Sequence, residues 1–110
     1  MPKGSHEALK NIPIKIRTTN SARVAFGDVV YGPGGTCGPR VQADFQLVVI
    51  IAGRARVTVE EEERTLAAGQ VGLFQPGRRE HFVFAPDRRT HHTWCALHPA
   101  LVPAEVAEAC

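Results

Sequence analysis

Residues 54–60 alternate without a break, with Ala55, Val57 and Val59 on one side and Arg54, Arg56 and Thr58 on the other. Period two marks an extended strand with one face on a core and one in water, because successive side chains of a strand point to opposite sides. A helix groups residues three and four apart and gives no such pattern. The rest of the chain fits this reading, since its apolar segments are short and punctuated by Gly and Pro.

Strands are expected at residues 12–16, 22–26 and 28–31, followed by a loop that starts at Gly32-Pro33-Gly34-Gly35 and runs on to Gly38-Pro39. Residues 45–52 are apolar apart from Gln46 and stop at Gly53, as expected of a central strand covered on both faces. Glu60 to Glu63 form an acidic run at a hairpin turn; adjacent like charges there read as a solvated turn rather than a cation site. The returning strand begins at residues 64–66. Two more are expected at 70–74, closed by Pro76-Gly77, and at 80–85, closed by Pro86-Asp87; the last spans 91–97. Only residues 103–110 read as helix, with Pro at the first turn. Many short strands with regular turns imply a barrel or sandwich, and closing the sheet removes exposed edges.

A chain of 110 residues has room for one core. Its parts read as an N-terminal segment with an edge strand (1–21), a barrel (22–98) and the start of a C-terminal helical segment (99–110). Hydrophobic residues at 44% and charged residues at 22% are ordinary for a globular domain. The net charge of +2 comes from scattered Lys and Arg, with no basic stripe to neutralise a row of phosphates, so nucleic acid is not expected as a direct partner. Three cysteines, with no CxxC spacing, fit a reduced, cytoplasmic setting. The polar start has no signal-peptide pattern, and no run approaches the ~18 apolar residues a membrane span requires. Gly4-Ser5-His6 is treated as a vector remnant.

Gln42, Asp44 and Gln46 have the parity of Val48 and Ile50, so a polar end grades into an apolar floor, the layout of a small-ligand pocket. Asp44 either binds a ligand hydroxyl or amine there or meets water at the barrel mouth. His81 is either a pocket hydrogen-bonder or an edge residue holding the Pro76-Gly77 turn. Trp94 shares a face with His92 and Ala96, either stacking on a ligand or filling the core. His91 and His92 fall on opposite faces. Arg40 could pair with an anionic effector, although a lone surface Arg is the commoner case. No nucleophile stands with a base and an orienting acid, and the glycines at 32, 34 and 35 lead into no helix, so no catalytic residue is assigned. Cys37 is left without a role.

Gly38, then Gln42, Asp44 and Gln46, then Gly53, followed by Gly69, Pro76-Gly77 and His81, resemble the two motifs of the cupin superfamily. The resemblance implies an all-β, double-stranded β-helix (jelly-roll) barrel with a short C-terminal helix. In that family two His and a Glu on alternate positions, joined by a later His, hold a metal, because alternate strand residues lie about 6.6 Å apart on one face. Here Gln46 stands at the Glu position, Asp44 and Gln42 at the two His positions, Glu80 at the later His position and His81 one residue late. Two neutral amides, Gln42 and Gln46, are weak ligands, and the single carboxylate of Asp44 with the single imidazole of His81 would leave an ion mostly water-bound, so no cofactor is expected.

Phe45-Gln46-Leu47-Val48 before Gly53, Pro76-Gly77 with a following His, and Trp94 on the final strand are similar to the N-terminal sensing domains of AraC-type transcription regulators. That resemblance implies a small-molecule effector bound by Gln42, Asp44, Gln46, His81 and Trp94. It further implies a homodimer, with DNA reached only through a domain absent from this chain. Outward Phe45, Leu47, Val49 and Ile51 are the expected self-association surface. The alternative is a stand-alone metal-dependent cupin enzyme, an isomerase, lyase or dioxygenase.

Overall fold

The computed structural model describes residues 13, 15–20 and 23–105, the segment 15–20 by its backbone. Among the described residues nine strands follow in order: β1 Lys15–Asn20, β2 Val24–Tyr31, β3 Thr36–Val41, β4 Phe45–Ala52, β5 Arg54–Val59, β6 Glu62–Ala67, β7 Val71–Phe74, β8 Arg79–Phe84 and β9 Thr90–Leu97. They form a five-stranded sheet in the order β1-β2-β9-β4-β7 and a four-stranded sheet in the order β3-β8-β5-β6. Every pairing is antiparallel. The two sheets enclose Val29, Tyr31, Val48, Ile50, Ala55, Val57, Phe74, Phe82 and Phe84, so the all-β double-layered barrel expected from alternation is the fold.

The clean alternation of residues 54–60 is realised in β5, where Ala55 and Val57 are buried and Arg54 and Arg56 exposed. Its hairpin partner β6 begins at Glu62, so the turn is only Glu60 and Glu61. Glu60 has φ 55 there, a left-handed conformation that a two-residue hairpin turn demands.

Several expectations are corrected. The strands expected at 22–26 and 28–31 are joined in one strand, Val24–Tyr31, because Gly27 continues the pairing of β2 opposite Trp94; residue 22 lies outside the described residues. Residues 36–39, expected as loop, belong to strand β3: a register shift between Cys37 and Arg40 absorbs Gly38-Pro39, and pairing resumes at Arg40 opposite Glu80. Gly38 is needed in that bulge, since its φ is 98 and a Cβ would lie 2.7 Å from the Glu80 carbonyl oxygen. Strand β4 keeps its expected bounds but is not central, since β9 holds the middle of the five-stranded sheet. Nor is β4 covered on both faces, as Leu47 and Ile51 are 37% and 50% exposed.

The strand expected at 12–16 begins instead at Lys15, and residues 12 and 14 lie outside the described residues. At the other end, a 3-10 turn at Pro99–Leu101, capped by the His98 side chain, precedes Ala104 and Glu105, which are helical. Of the helix expected over 103–110, residues 106–110 lie outside the described residues.

Gly53 joins β4 to β5 where the chain presses onto the start of β9. Its φ is 83, and a Cβ would sit 2.5 Å from Thr90 Oγ1 and 2.6 Å from the Arg89 carbonyl oxygen. The Thr90 hydroxyl donates to the Arg54 carbonyl at 3.1 Å across the same junction. This corner places the two sheets face to face and so sets which side of β4 and β5 looks inward.

Candidate functional site

The barrel interior has two chemically different ends. On β4 the inward row runs from Gln46 through Val48 to Ile50, all buried. On β8 it runs from Glu80 through Phe82 to Phe84, and on β5 from Val59 through Val57 to Ala55. Gln46 and Glu80 therefore share the polar end. Ile50, Phe84 and Ala55 share the apolar end with Tyr31 and His92.

At the polar end Glu80 is 1% exposed, and a carboxylate removed from water requires a counter-charge and hydrogen-bond donors. Arg40 of β3 supplies the charge, with Nε donating to Glu80 Oε1 at 3.1 Å and the guanidinium reaching Gln46 Oε1 at 3.0 Å. Gln42 donates from Nε2 to both Glu80 Oε1 and Gln46 Oε1. The Arg40 guanidinium carbon also stands 5.9 Å from the Phe82 ring centroid, close enough for a cation–π contribution. Backbone bonds brace the rim: Gly77 N–H donates to the Gln42 carbonyl at 2.8 Å, and Glu60 N–H to the Arg79 carbonyl at 2.8 Å.

Among the described residues no cluster of three or more His, Cys, Asp or Glu is positioned to hold a metal. The donor chemistry does not fit one either. Glu80 is the sole carboxylate of the network, the amides of Gln42 and Gln46 are neutral, and the guanidinium of Arg40 already faces the oxygens that an ion would need.

The apolar end is an aromatic stack. Tyr31 lies 4.3 Å from Phe84 between ring centroids, and His92 lies 5.5 Å from Phe84 and 5.9 Å from Tyr31. Burial pushes the His92 imidazole down to about 4. Its Nδ1 has no hydrogen-bond partner among the described residues. Burial, followed by the neighbouring Cys37 thiol, pushes the Tyr31 hydroxyl well above its ordinary value.

The interior opens sideways. Strands β6 and β7 are edges of different sheets, and a cleft of about 350 Å³ lies between them. Its walls include Val57, Val59, Leu66 and Phe74, with Glu80 at its inner limit and Arg64 and Arg78 among its charged residues. Gly72 helps keep it open, because a Cβ there would meet Phe74 and Leu66 side chains at 2.8 and 2.9 Å.

The sequence-derived site residues separate in this structure. Gln42 and Gln46 meet in the polar network. Asp44 sits in the bend before β4, half-buried and outside that network. Trp94 is half-buried on the interior face of β9 and packs against the core, level with Gly27 and Val48 on the neighbouring strands. His81 does not share their face. It alternates with buried Glu80 and Phe82 and pairs with Thr58, which puts it on the outside of the four-stranded sheet. Arg40 and Glu80 take the places that Asp44 and His81 were expected to fill. The signal for Glu80 was present, since it has the parity of Phe82 and Phe84; Arg40 reads from the sequence only as a residue that could pair with an anionic effector, and the bulge before it hides its pairing with Glu80.

Comparison with known proteins agrees with this architecture. A cupin with a double-stranded β-helix fold from Methanocaldococcus jannaschii superposes with a TM-score of 0.69 at 14% identity, covering 79% of this chain and 84% of that one. A conserved cupin barrel protein from Salinispora arenicola gives 0.65 at 20% identity over 86% of this chain and 80% of its own. An oxalate decarboxylase from Bacillus subtilis gives 0.68 at 14% identity over 84% of this chain but 27% of its own. At these identities the likeness is one of fold. Among curated proteins nothing matches the sequence. Residues 30–109 match the model of the AraC-like ligand-binding domain, and with most of its length so matched, this chain belongs to the AraC-like ligand-binding domain family.

Proposed function

We propose that this domain is the small-molecule sensor of an AraC-type transcription regulator working in the cytoplasm, with DNA contacted through a separate helix-turn-helix domain. The observation that carries the reading is the open cleft between β6 and β7, which is lined by Glu80, the member of the Glu80–Arg40–Gln42–Gln46 network that reaches it. A cleft that sets apolar walls beside fixed polar and charged groups can orient an organic ligand. Gln42, Gln46 and Trp94 are proposed as ligand contacts from the barrel side, and Asp44 from the mouth. His81, on the outer face, contributes only through the Pro76-Gly77 rim. The enzyme alternative needs a metal donor set, which a guanidinium among two amides and one carboxylate does not supply.

A homodimer is part of the same proposal. The outer face of the five-stranded sheet carries Phe26, Cys95, Leu47 and Leu73 in one cross-strand row. Phe26, Leu47, Ile51, Val71 and Leu73 are exposed there, a contiguous apolar face of the kind that marks association. Phe45, expected in that surface, is 7% exposed and does not belong to it.

The deciding experiment is a thermal-shift screen of small metabolites. A ligand at a hundred times its Kd stabilises the fold by about 2.7 kcal/mol, roughly 10 °C for a domain of this size. Hits that lose their shift in Gln46→Ala and Trp94→Ala support the reading. Shifts that survive both changes remove Gln46 and Trp94 from the ligand contacts, and the absence of any hit overturns the reading.

A further inference from the structure

The charges of the β6–β7 cleft are specific enough to name a ligand class. Four charged residues line it: Glu62, Arg64, Arg78 and Glu80. Glu80 is neutralised from within the barrel by Arg40 at 3.1 Å. Arg64 and Glu62 offset one another at 3.7 Å, both at least 80% exposed. Arg78 has no ion-pair partner among the described residues. The cleft is thus left with one unmatched charge, and it is positive.

The backbone around Arg78 is held on both sides. Gly77 N–H is bound to the Gln42 carbonyl at 2.8 Å, the Arg79 carbonyl accepts from Glu60 N–H at 2.8 Å, and Arg79 N–H donates to Glu60 Oε1 at 3.3 Å. The side chain therefore leaves a fixed root between the loop at Gln42 and the β5–β6 turn. A guanidinium offers paired N–H donors in a planar fork that matches the two oxygens of a carboxylate. Beside it the apolar walls of Val57, Leu66 and Phe74 would cover a ring or short chain. A cavity of about 350 Å³ lies at the small end of the range for organic ligands.

We propose that the cleft binds a monocarboxylate with an apolar body, the carboxylate on Arg78 and the body against Val57, Leu66 and Phe74. The inference rests on the domain being a small-molecule binder and adds the class of molecule. A cationic ligand is disfavoured, because Arg78 repels it and the nearest buried carboxylate, Glu80, is already engaged by Arg40 and Gln42. The loose Glu62 pair leaves Arg64 able to add a second contact from β6.

The test uses the full chain and three probes that share a phenyl ring and differ in charge: phenylacetate, phenylacetamide and phenethylamine. Their affinities are measured by titration calorimetry, with two-dimensional amide NMR to locate the site. Phenylacetate is expected to bind at least about tenfold more tightly than either of the others, the scale of a hydrogen bond to a charged group. Amide signals of β6, β7 and the 75–80 segment should move. Arg78→Gln is expected to erase the preference by weakening the acid alone, while the thermal midpoint of the unliganded protein stays unchanged. The inference is overturned if the amide or amine binds as tightly as the acid, if the preference survives Arg78→Gln, or if none of the three binds. A metabolite screen whose hits are all neutral or cationic would refute this inference and leave the sensing reading standing; a screen with no hits would remove both.

Discussion

Replacing Arg40 with Met keeps most of the aliphatic stem and deletes the charge that faces Glu80. Two unit charges about 4 Å apart attract by roughly 4 kcal/mol at an effective dielectric of 20. Arg40 is 37% exposed, so water screens part of that, whereas Glu80 at 1% exposure has no such relief. Removing one partner of a buried pair typically costs about 3–5 kcal/mol, because the other charge stays stranded. Gln42, which donates to Glu80 at 2.5 Å, is retained in the variant and places the expected loss near the lower limit, about 3 kcal/mol. For a domain of this size that is a fall in Tm of roughly 12 °C or more. Urea unfolding of wild type, Arg40→Met, Glu80→Gln and the double variant closes the cycle. The double variant should be more stable than Arg40→Met alone, since a neutral amide at position 80 no longer needs a cation, with a coupling of about 2 kcal/mol. A loss below about 1 kcal/mol for Arg40→Met, or the same loss in both backgrounds, would refute the claim that this network holds the polar end of the barrel together.

Three further outcomes follow from the geometry. His92 titrates at about 4 in the fold against about 6.5 when unfolded. Its contribution is therefore fully present above pH 6.5, is lost as the unfolded chain takes up the proton, and levels off below the folded value, a loss of about 3 kcal/mol in all. Burial is the main cause; Arg40 and His91 act in the same direction and Asp28 against it. Urea midpoints measured across that range should show this slope in wild type and not in His92→Phe, and parallel slopes would argue against the assignment. Gly53→Ala forces a left-handed alanine with its Cβ 2.5 Å from Thr90 Oγ1, and a loss of about 2 kcal/mol or more should appear as a lowered denaturation midpoint. Finally, Leu47→Lys, on the exposed row of the five-stranded sheet, should convert a dimer to a monomer in sedimentation velocity without lowering secondary structure; an unchanged dimer would move the interface elsewhere.

The strands whose residues alternate or run apolar were legible because each obeys a local rule. Residues 45–52 became β4 with the expected bounds, and 54–60 became β5 within a residue. The failures were equally physical. Strand β3 was hidden by Gly38-Pro39, which reads as loop until a partner strand stretches the backbone past the bulge. The break expected at Gly27 vanished because β9 supplies continuous pairing on its other side. Strand β4 reads as central from its composition, yet its outer face is left partly open, which only the order of the strands could reveal.

What the sequence determined by itself was the class of fold, the family likeness, and the pairing of a polar end at Gln42 and Gln46 with an apolar floor at Val48 and Ile50. Those follow from side-chain alternation, turn chemistry and motif spacing, all of which act over a few residues. Tertiary structure alone decided which polar groups meet: Arg40 with Glu80 across the β3–β8 register, and His81 on the outer face while Glu80 points in. Period two divides a strand into two faces but does not say which of them is inside, and a shift of one residue in register exchanges them. That choice is made by the partners, as Glu80, Phe82 and Phe84 align with Val59, Val57 and Ala55 against the opposite sheet.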